Sequence, residues 1–150
     1  MNLVKKIKNL NYKKYFIDNN LQSIFPNHKF KIDNKIPEPY YVFDNNNKDQ
    51  YPPEFKDLVR LHYIIRLRKI TTVLEFGVGY STLVMLHAIN MNKKQYGSFV
   101  SKNLRRNNAF KVFSIDTDKK YINLVKKQIP EKYKNMVNIS FSTAVMNTFN

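Results

Sequence analysis

The feature that most constrains the fold is a pair of glycines between an apolar run and a helical pattern. Residues 70–76 are β-branched and almost continuously apolar, which predicts a parallel strand covered on both faces. Gly77-Val78-Gly79 interrupts this run, and residues 81–89 then place apolar side chains at helical spacing. Because glycine carries no Cβ atom, a ligand can approach the backbone closely at such a turn.

Strand and helix patterns continue to alternate downstream of the glycine turn. Residues 110–116 predict a second strand, Lys119–Gln128 a second helix stopped by Pro130, and Val137–Phe141 a third strand. The polar and basic stretch between the first helix and the second strand predicts a separate short helix over residues 96–104. This alternation indicates an α/β fold with parallel strands and right-handed crossovers.

The region before the glycine turn predicts helices and an irregular connection. Residues 2–25 predict one or two short amphipathic helices, and residues 26–52 an irregular connection with an extended segment at 40–43. A helix is expected to open at Pro52-Pro53, with Glu54 in its first turn and basic residues in its last. We therefore expect an N-terminal helical and irregular extension over residues 1–50 and one domain over residues 51–150.

The charge balance favours a polyanionic partner in principle. The net charge is +15, but few of the 26 basic residues are arginines. Arginine is the residue that base-specific readout and bidentate phosphate binding favour. Nucleic acid is therefore not the favoured partner. The chain has no cysteine and no apolar run of the roughly 20 residues needed to span a bilayer, so we expect a cytoplasmic protein without membrane insertion. The three histidines share no spacing, and no metal site is predicted.

Two carboxylates stand at the predicted strand ends. Glu75 precedes the glycine turn and can accept hydrogen bonds from an amino group or ordered water. Asp116 ends the second predicted strand, where a carboxylate can accept both hydroxyls of a ribose, with Asp118 as the fallback. Other interpretations stay open: Glu75 is satisfied by neighbouring backbone, Asp116 caps the following helix, and the glycines only form a tight turn.

The spacing Glu75-x-Gly77-x-Gly79-x-Ser81 resembles the first motif of class I S-adenosylmethionine-dependent methyltransferases, with Ser81 where many members have a third glycine. Residues 113–116 are similar to the second motif, whose terminal acid binds ribose in that family. Ser142-Thr143 falls where the family contacts adenine. The resemblance implies a Rossmann-like parallel sheet with flanking helices and S-adenosyl-L-methionine as cofactor. The residues that it implies for cofactor binding are Glu75, Phe76, Gly77, Gly79, Ser81 and Asp116.

The wider stretch from residue 51 to 108 resembles a group of uncharacterised bacterial methyltransferase-like proteins. The family's sheet has seven strands in the order 3-2-1-4-5-7-6, and this chain supplies strands one to three. We therefore expect a cofactor-binding portion, truncated after the third strand, that lacks the substrate-binding half. Its catalytic residues and methyl acceptor stay unassigned, and a partner chain is expected to cover the edge of strand one.

Two other functions remain as alternatives. A nicotinamide-binding enzyme would carry Gly-x-Gly-x-x-Gly, and position 82 here is threonine. A non-enzymatic basic module would bind nucleic acid or another polyanion through its surface charge.

Overall fold

The structure of the protein is a computed structural model that describes residues 3–25, 29–31, 40–42 and 54–143. The helices are α1 (Leu3–Lys8), α2 (Tyr12–Asp18), α3 (Phe55–Leu67), α4 (Tyr80–Asn103) and α5 (Lys119–Gln128). The strands are β1 (Lys29–Lys31), β2 (Tyr40–Val42), β3 (Thr72–Phe76), β4 (Lys111–Asp116) and β5 (Val137–Phe141). Single 3₁₀ segments cover Leu21–Ile24 and Glu131–Met136.

Strands β3, β4 and β5 form a parallel sheet in that order, with α4 and α5 as the connections between them. The predicted α/β fold with parallel strands is therefore confirmed. The bounds of α5 and β5 are those that the sequence predicts. Strands β1 and β2 form a separate antiparallel pair, so Tyr40–Val42 is extended as predicted, while its partner strand was not anticipated.

The expectation that β3 is covered on both faces is wrong. Leu74 and Phe76 are 59% and 80% exposed, whereas Val112 and Ser114 on the neighbouring strand are fully buried. The strands advance in one direction across the sheet, so right-handed crossovers place both connecting helices on the same face. Among the described residues, the opposite face, which carries Leu74 and Phe76, has no covering helix.

Two predicted strands begin later than their apolar patterns do. β3 starts at Thr72 because Lys69 has a positive φ of 52° and the Ile70 N–H bonds back to α3, at the carbonyl of Ile65. β4 starts at Lys111 because Phe110 has a φ of 62°, outside the extended region. In both places the chain is in a turn conformation where the apolar side chains, Ile70 and Phe110, predict a strand.

Helix α4 is a single helix of 24 residues, so the prediction of two helices separated by a polar break is wrong. The polar stretch contains no proline, and its side chains are largely exposed. Val100 is a buried exception, and Asn92 is a buried polar one. Its side-chain amide donates to the carbonyls of Ile65 and Ile70, at 3.1 and 2.7 Å, and thereby fastens the middle of α4 to the end of α3.

The N-terminal segment packs into the same hydrophobic core as α3 and α4. Phe16, in α2, is 2% exposed, and its ring lies 4.5 Å from that of Phe55 in α3, centroid to centroid. Leu21, Ile24 and Phe25 are also buried in this core. Residues 12–25 therefore form part of the packed unit that carries the glycine turn.

The start of α3 and the predicted connection are described only in part. The helix opening expected at Pro52-Pro53 and most of the predicted connection over residues 26–52 lie outside the described residues. Glu54, which was predicted to lie in the first turn, is the N-cap of α3, one position before its first residue. No helix in the described part of the chain has both the length and the apolar character needed to cross a bilayer.

Candidate functional site at the strand tips

The carboxyl ends of β3, β4 and β5 meet at one edge of the sheet, and a pocket of about 340 Å³ lies there. This volume lies in the range of small-molecule sites. Phe76, Gly77 and Asp116 line the pocket, while Glu75, Gly79 and Ser81 are outside its lining. The described residues that line the pocket are Phe76, Gly77, Ile115, Asp116, Thr117, Ser142 and Thr143.

The first glycine of the turn is required by its backbone conformation. Gly77 has a φ of +90°, and its N–H donates to the carbonyl of Ile115 at 2.7 Å, across to β4. A Cβ atom added at Gly77 would meet no atom of the described residues within 4 Å. Glycine is therefore needed here for its dihedral angle, and the space beside its Cα is open toward the pocket.

The second glycine has no such requirement within the chain itself. Gly79 is extended, with a φ of 172°, and an added Cβ would lie 3.8 Å from the hydroxyl of Tyr121, an ordinary contact. Glycine at position 79 would be required if a ligand approached the backbone there, because a Cβ atom would then be in the way.

This difference predicts a larger loss of stability for one of two matched substitutions than for the other. Gly77→Ala is expected to lower the free energy of unfolding by about 1 to 2 kcal/mol, because an L side chain is strained at this φ. Gly79→Ala is expected to change it by about 0.5 kcal/mol or less. Urea unfolding of both variants without added ligand measures the difference. Equal losses would show that the turn does not have the described conformation.

Glu75 is surrounded by hydroxyl groups. Its Oε1 accepts from the Ser81 hydroxyl at 2.5 Å, and its Oε2 accepts from the hydroxyls of Thr82 and Ser114, at 2.7 and 2.8 Å. Thr82 in turn accepts the N–H of Gly79 at 3.0 Å. The Glu75 carboxylate therefore joins the tip of β3 to β4 and to the first turn of α4.

The environment of Glu75 has two opposing effects on its pKa. Burial raises the pKa because it disfavours the charged form, and the three hydroxyl donors act in the other direction. Burial is the larger effect, so the pKa of Glu75 is raised. The alternative interpretation named backbone groups as the partners of this carboxylate, whereas the structure shows side-chain hydroxyls in that role.

Asp116 holds the glycine turn from the neighbouring strand. Its Oδ2 accepts the N–H of Val78 and its Oδ1 accepts the N–H of Asp118, both at 2.8 Å. The N-cap of α5 is Asp118, whose Oδ1 accepts the N–H groups of Lys120 and Tyr121. Each oxygen of Asp116 has two acceptor sites, so the carboxylate can still accept hydrogen bonds from a ligand in the pocket.

A pair of histidines that share no sequence spacing is brought together in the core, away from the pocket. His62 Nε2 lies 2.9 Å from His87 Nδ1, and His62 Nδ1 lies 2.8 Å from the hydroxyl of Tyr15. This row of hydrogen bonds links α2, α3 and α4. The signal available in the sequence was the position of His62 on the apolar face of α3, between Val59 and Ile65.

The histidine pair stays neutral near pH 7. Burial lowers the pKa of His62 to about 3 and that of His87 to about 4, and the nearby Arg66 acts in the same direction on both. Among the described residues, no group of three histidine or acidic side chains is placed to hold a metal ion.

Comparison with known proteins adds no relative. No protein-family model, no curated protein and no solved structure matches the chain. The geometry at the strand tips and the motif residues themselves are therefore what indicates a function.

Proposed function

We propose that the chain is the S-adenosyl-L-methionine-binding portion of a class I methyltransferase with a Rossmann-like sheet. The observation that carries this proposal is the pocket at the carboxyl ends of three parallel strands. Gly77 opens space beside its backbone there, and Asp116 contributes a carboxylate to the lining. Ligands of open α/β sheets bind at this edge.

The residues present fit such a cofactor. The Asp116 carboxylate would accept the ribose hydroxyls, and Ser142 and Thr143 add hydroxyl groups on the β5 side of the pocket. The open space at Gly77 would admit the ligand next to the backbone. The N-terminus of α4, which begins at Tyr80, suits the carboxylate of the methionine part.

Glu75 has a different role from that of a direct ligand in this proposal. Its oxygens accept hydrogen bonds from three hydroxyl groups, and the residue is not part of the pocket lining. Glu75 and Ser81 would act as positioning residues that fix the glycine turn, while Phe76, Gly77 and Asp116 touch the cofactor. The cofactor supplies an already activated methyl group, so these residues bind and orient it, and no catalytic base is assigned.

The uncovered side of β3 supports the expectation that another polypeptide segment completes the catalyst. Within the described residues, β3 pairs only with β4, so its other edge presents unpaired backbone groups. Leu74 and Phe76 add exposed apolar surface on one face of the same strand. We propose that a segment lying beside β3 and covering this surface is required for methyl transfer, with the methyl acceptor still to be identified.

The test is titration calorimetry of the purified chain with S-adenosylmethionine, S-adenosylhomocysteine and NAD. We expect S-adenosylhomocysteine to bind in the micromolar range and NAD not to bind. Asp116→Ala is expected to weaken binding at least tenfold, because it removes a charged acceptor of the ribose hydroxyls. Asp57→Ala is the matched control, since it removes the same charge from an exposed ion pair on α3.

Circular dichroism of each variant separates loss of binding from loss of folding. No binding of either adenosyl compound at millimolar concentration would reject the proposal for this chain. Binding of NAD in their place would favour the nicotinamide alternative. Equal weakening by Asp116→Ala and Asp57→Ala would show that Asp116 does not bind the ligand.

A further inference from the structure

A second and larger pocket, of about 750 Å³, lies along the outer side of β5. It contains none of the residues predicted to bind the cofactor. Its apolar floor comes from Ile129, Val137 and Ile139, and the remaining lining is basic or amide-bearing. Within the described part of the chain, the lining consists of Asn123, Lys126, Lys127, Ile129, Lys134, Val137, Asn138 and Ile139.

Three of the lining side chains are lysines that solvent can reach. Lys126 and Lys127 lie exposed in the last turn of α5, and Lys134 follows in the 3₁₀ segment. The Lys134 Nζ forms an ion pair with the Glu131 Oε2 at 2.5 Å. Both side chains are more than half exposed, so solvent screens this ion pair. No other acidic residue lies between 119 and 143, so the region carries a net positive charge.

An exposed aromatic ring lies at the other end of β5 from this pocket. Phe141, the last residue of β5, is 47% exposed, and the Lys119 Nζ lies 4.6 Å from its ring centroid. β5 places Phe141 about 13 Å from the start of the pocket at Val137, given the rise of an extended strand. Lys119, Asn123 and Lys127 repeat every fourth residue and form a polar stripe along α5 between the two ends.

We propose that the α5–β5 strip, from the lysines at 126, 127 and 134 to Phe141, binds single-stranded nucleic acid. Phosphates would contact the lysines, and an unstacked base would lie against Phe141. A basic groove with an exposed aromatic side chain is the arrangement that single strands require, whereas a duplex keeps its bases stacked. An acidic polypeptide would use the lysines and leave Phe141 without a stacking partner.

The α5–β5 strip and the proposed cofactor site use different residues, because neither its lysines nor Phe141 lines the strand-tip pocket. It gives the general positive charge of the chain a specific location. Failure of this proposal would leave the calorimetric test of S-adenosylhomocysteine unaffected, and failure of that test would leave this one unaffected.

Fluorescence anisotropy with labelled single strands of about 12 nucleotides tests the proposal. Single-strand-binding proteins with an OB fold, a different fold from this one, have binding sites of up to about this length. DNA and RNA of the same sequence are titrated between about 50 and 200 mM salt. In Lys126→Gln/Lys127→Gln/Lys134→Gln we expect at least tenfold weaker binding at low salt. The slope of log K against log salt should fall by about 2, since each lost contact to a single strand contributes about 0.7.

The matched control is Lys93→Gln/Lys94→Gln/Lys102→Gln, which removes the same three charges from the exposed side of α4. We expect its salt slope to stay that of the wild type. Equal effects of the two triple variants, or no binding by the wild-type chain at low salt, would overturn the proposal. Tighter binding of a duplex of the same length would overturn the assignment to single strands.

Phe141→Leu tests the stacking contact separately from charge. We expect binding roughly tenfold weaker with an unchanged salt slope, because a base loses its aromatic partner while all phosphate contacts remain. Wild-type affinity in this variant would show that Phe141 is not a stacking platform. Competition by polyglutamate as effective as that by the unlabelled oligonucleotide would show a general polyanion site and contradict the proposal.

Discussion

Replacing Glu75 by alanine is expected to lower the free energy of unfolding by about 3 to 5 kcal/mol. The carboxylate is the common acceptor for the hydroxyls of Ser81, Thr82 and Ser114. Thr82 and Ser114 are fully buried, so their hydroxyls would lose the acceptor without gaining water. Urea unfolding followed by circular dichroism measures the change.

The Ser81→Ala variant is the control for this prediction. Ser81 is only partly buried, so losing its hydroxyl removes one donor and leaves the carboxylate with two others. We expect a loss of about 1 kcal/mol. A Glu75→Ala loss no larger than that of Ser81→Ala would contradict the assignment of Glu75 as the junction between strand, turn and helix.

Acidification is expected to destabilise the protein through the histidine pair. The folded-state pKa values of His62 and His87, about 3 and about 4, lie below the ordinary value of 6.5. The unfolded chain therefore binds more protons than the folded chain below pH 6.5. The stability from the neutral pair is fully present above pH 6.5 and is lost as pH falls toward 4.

Each histidine is expected to contribute a slope of up to roughly 1.4 kcal/mol per pH unit in this window. The charges around the pair act in the same direction, because Arg66, Lys94 and Lys132 all disfavour a protonated ring. Glu75 acts in the opposite direction. Its raised pKa makes the folded chain take up a proton more readily than the unfolded chain, which offsets part of the loss.

The His87→Gln variant isolates the histidine contribution from that of Glu75. Glutamine keeps an amide that can bond to His62 but does not titrate in this range. Urea unfolding at a series of pH values between 7 and 4.5 should show a slope reduced by about one half relative to the wild type. An unchanged slope would mean that the pair does not control the acid sensitivity.

The elements that follow β4 were the most predictable from sequence. The bounds of α5 and β5 follow from clear local patterns and from Pro130, which stops the helix. The positive φ at Gly77 fits the interruption that the sequence shows at that point. These features depend on neighbours in the chain, so a single sequence contains the information.

The continuity of α4 could not be predicted from the local sequence pattern. The polar composition of residues 90–103 indicated a break, and the structure has a continuous helix there. Asn92 is buried through hydrogen bonds to carbonyls of residues 65 and 70, more than 20 positions away. This contact between distant segments holds the middle of α4 in place, and the local pattern contained no sign of it.

The sequence by itself determined the order of strand, glycine turn and helix, and it placed Asp116 at the tip of the neighbouring strand. The tertiary structure decided what Glu75 contacts, that His62 meets His87, and that Leu74 and Phe76 are exposed. Backbone preferences and residue spacing act between near neighbours, so they can be read along the chain. Hydrogen-bond partners and burial depend on which distant segments pack together, and only the folded arrangement fixes them.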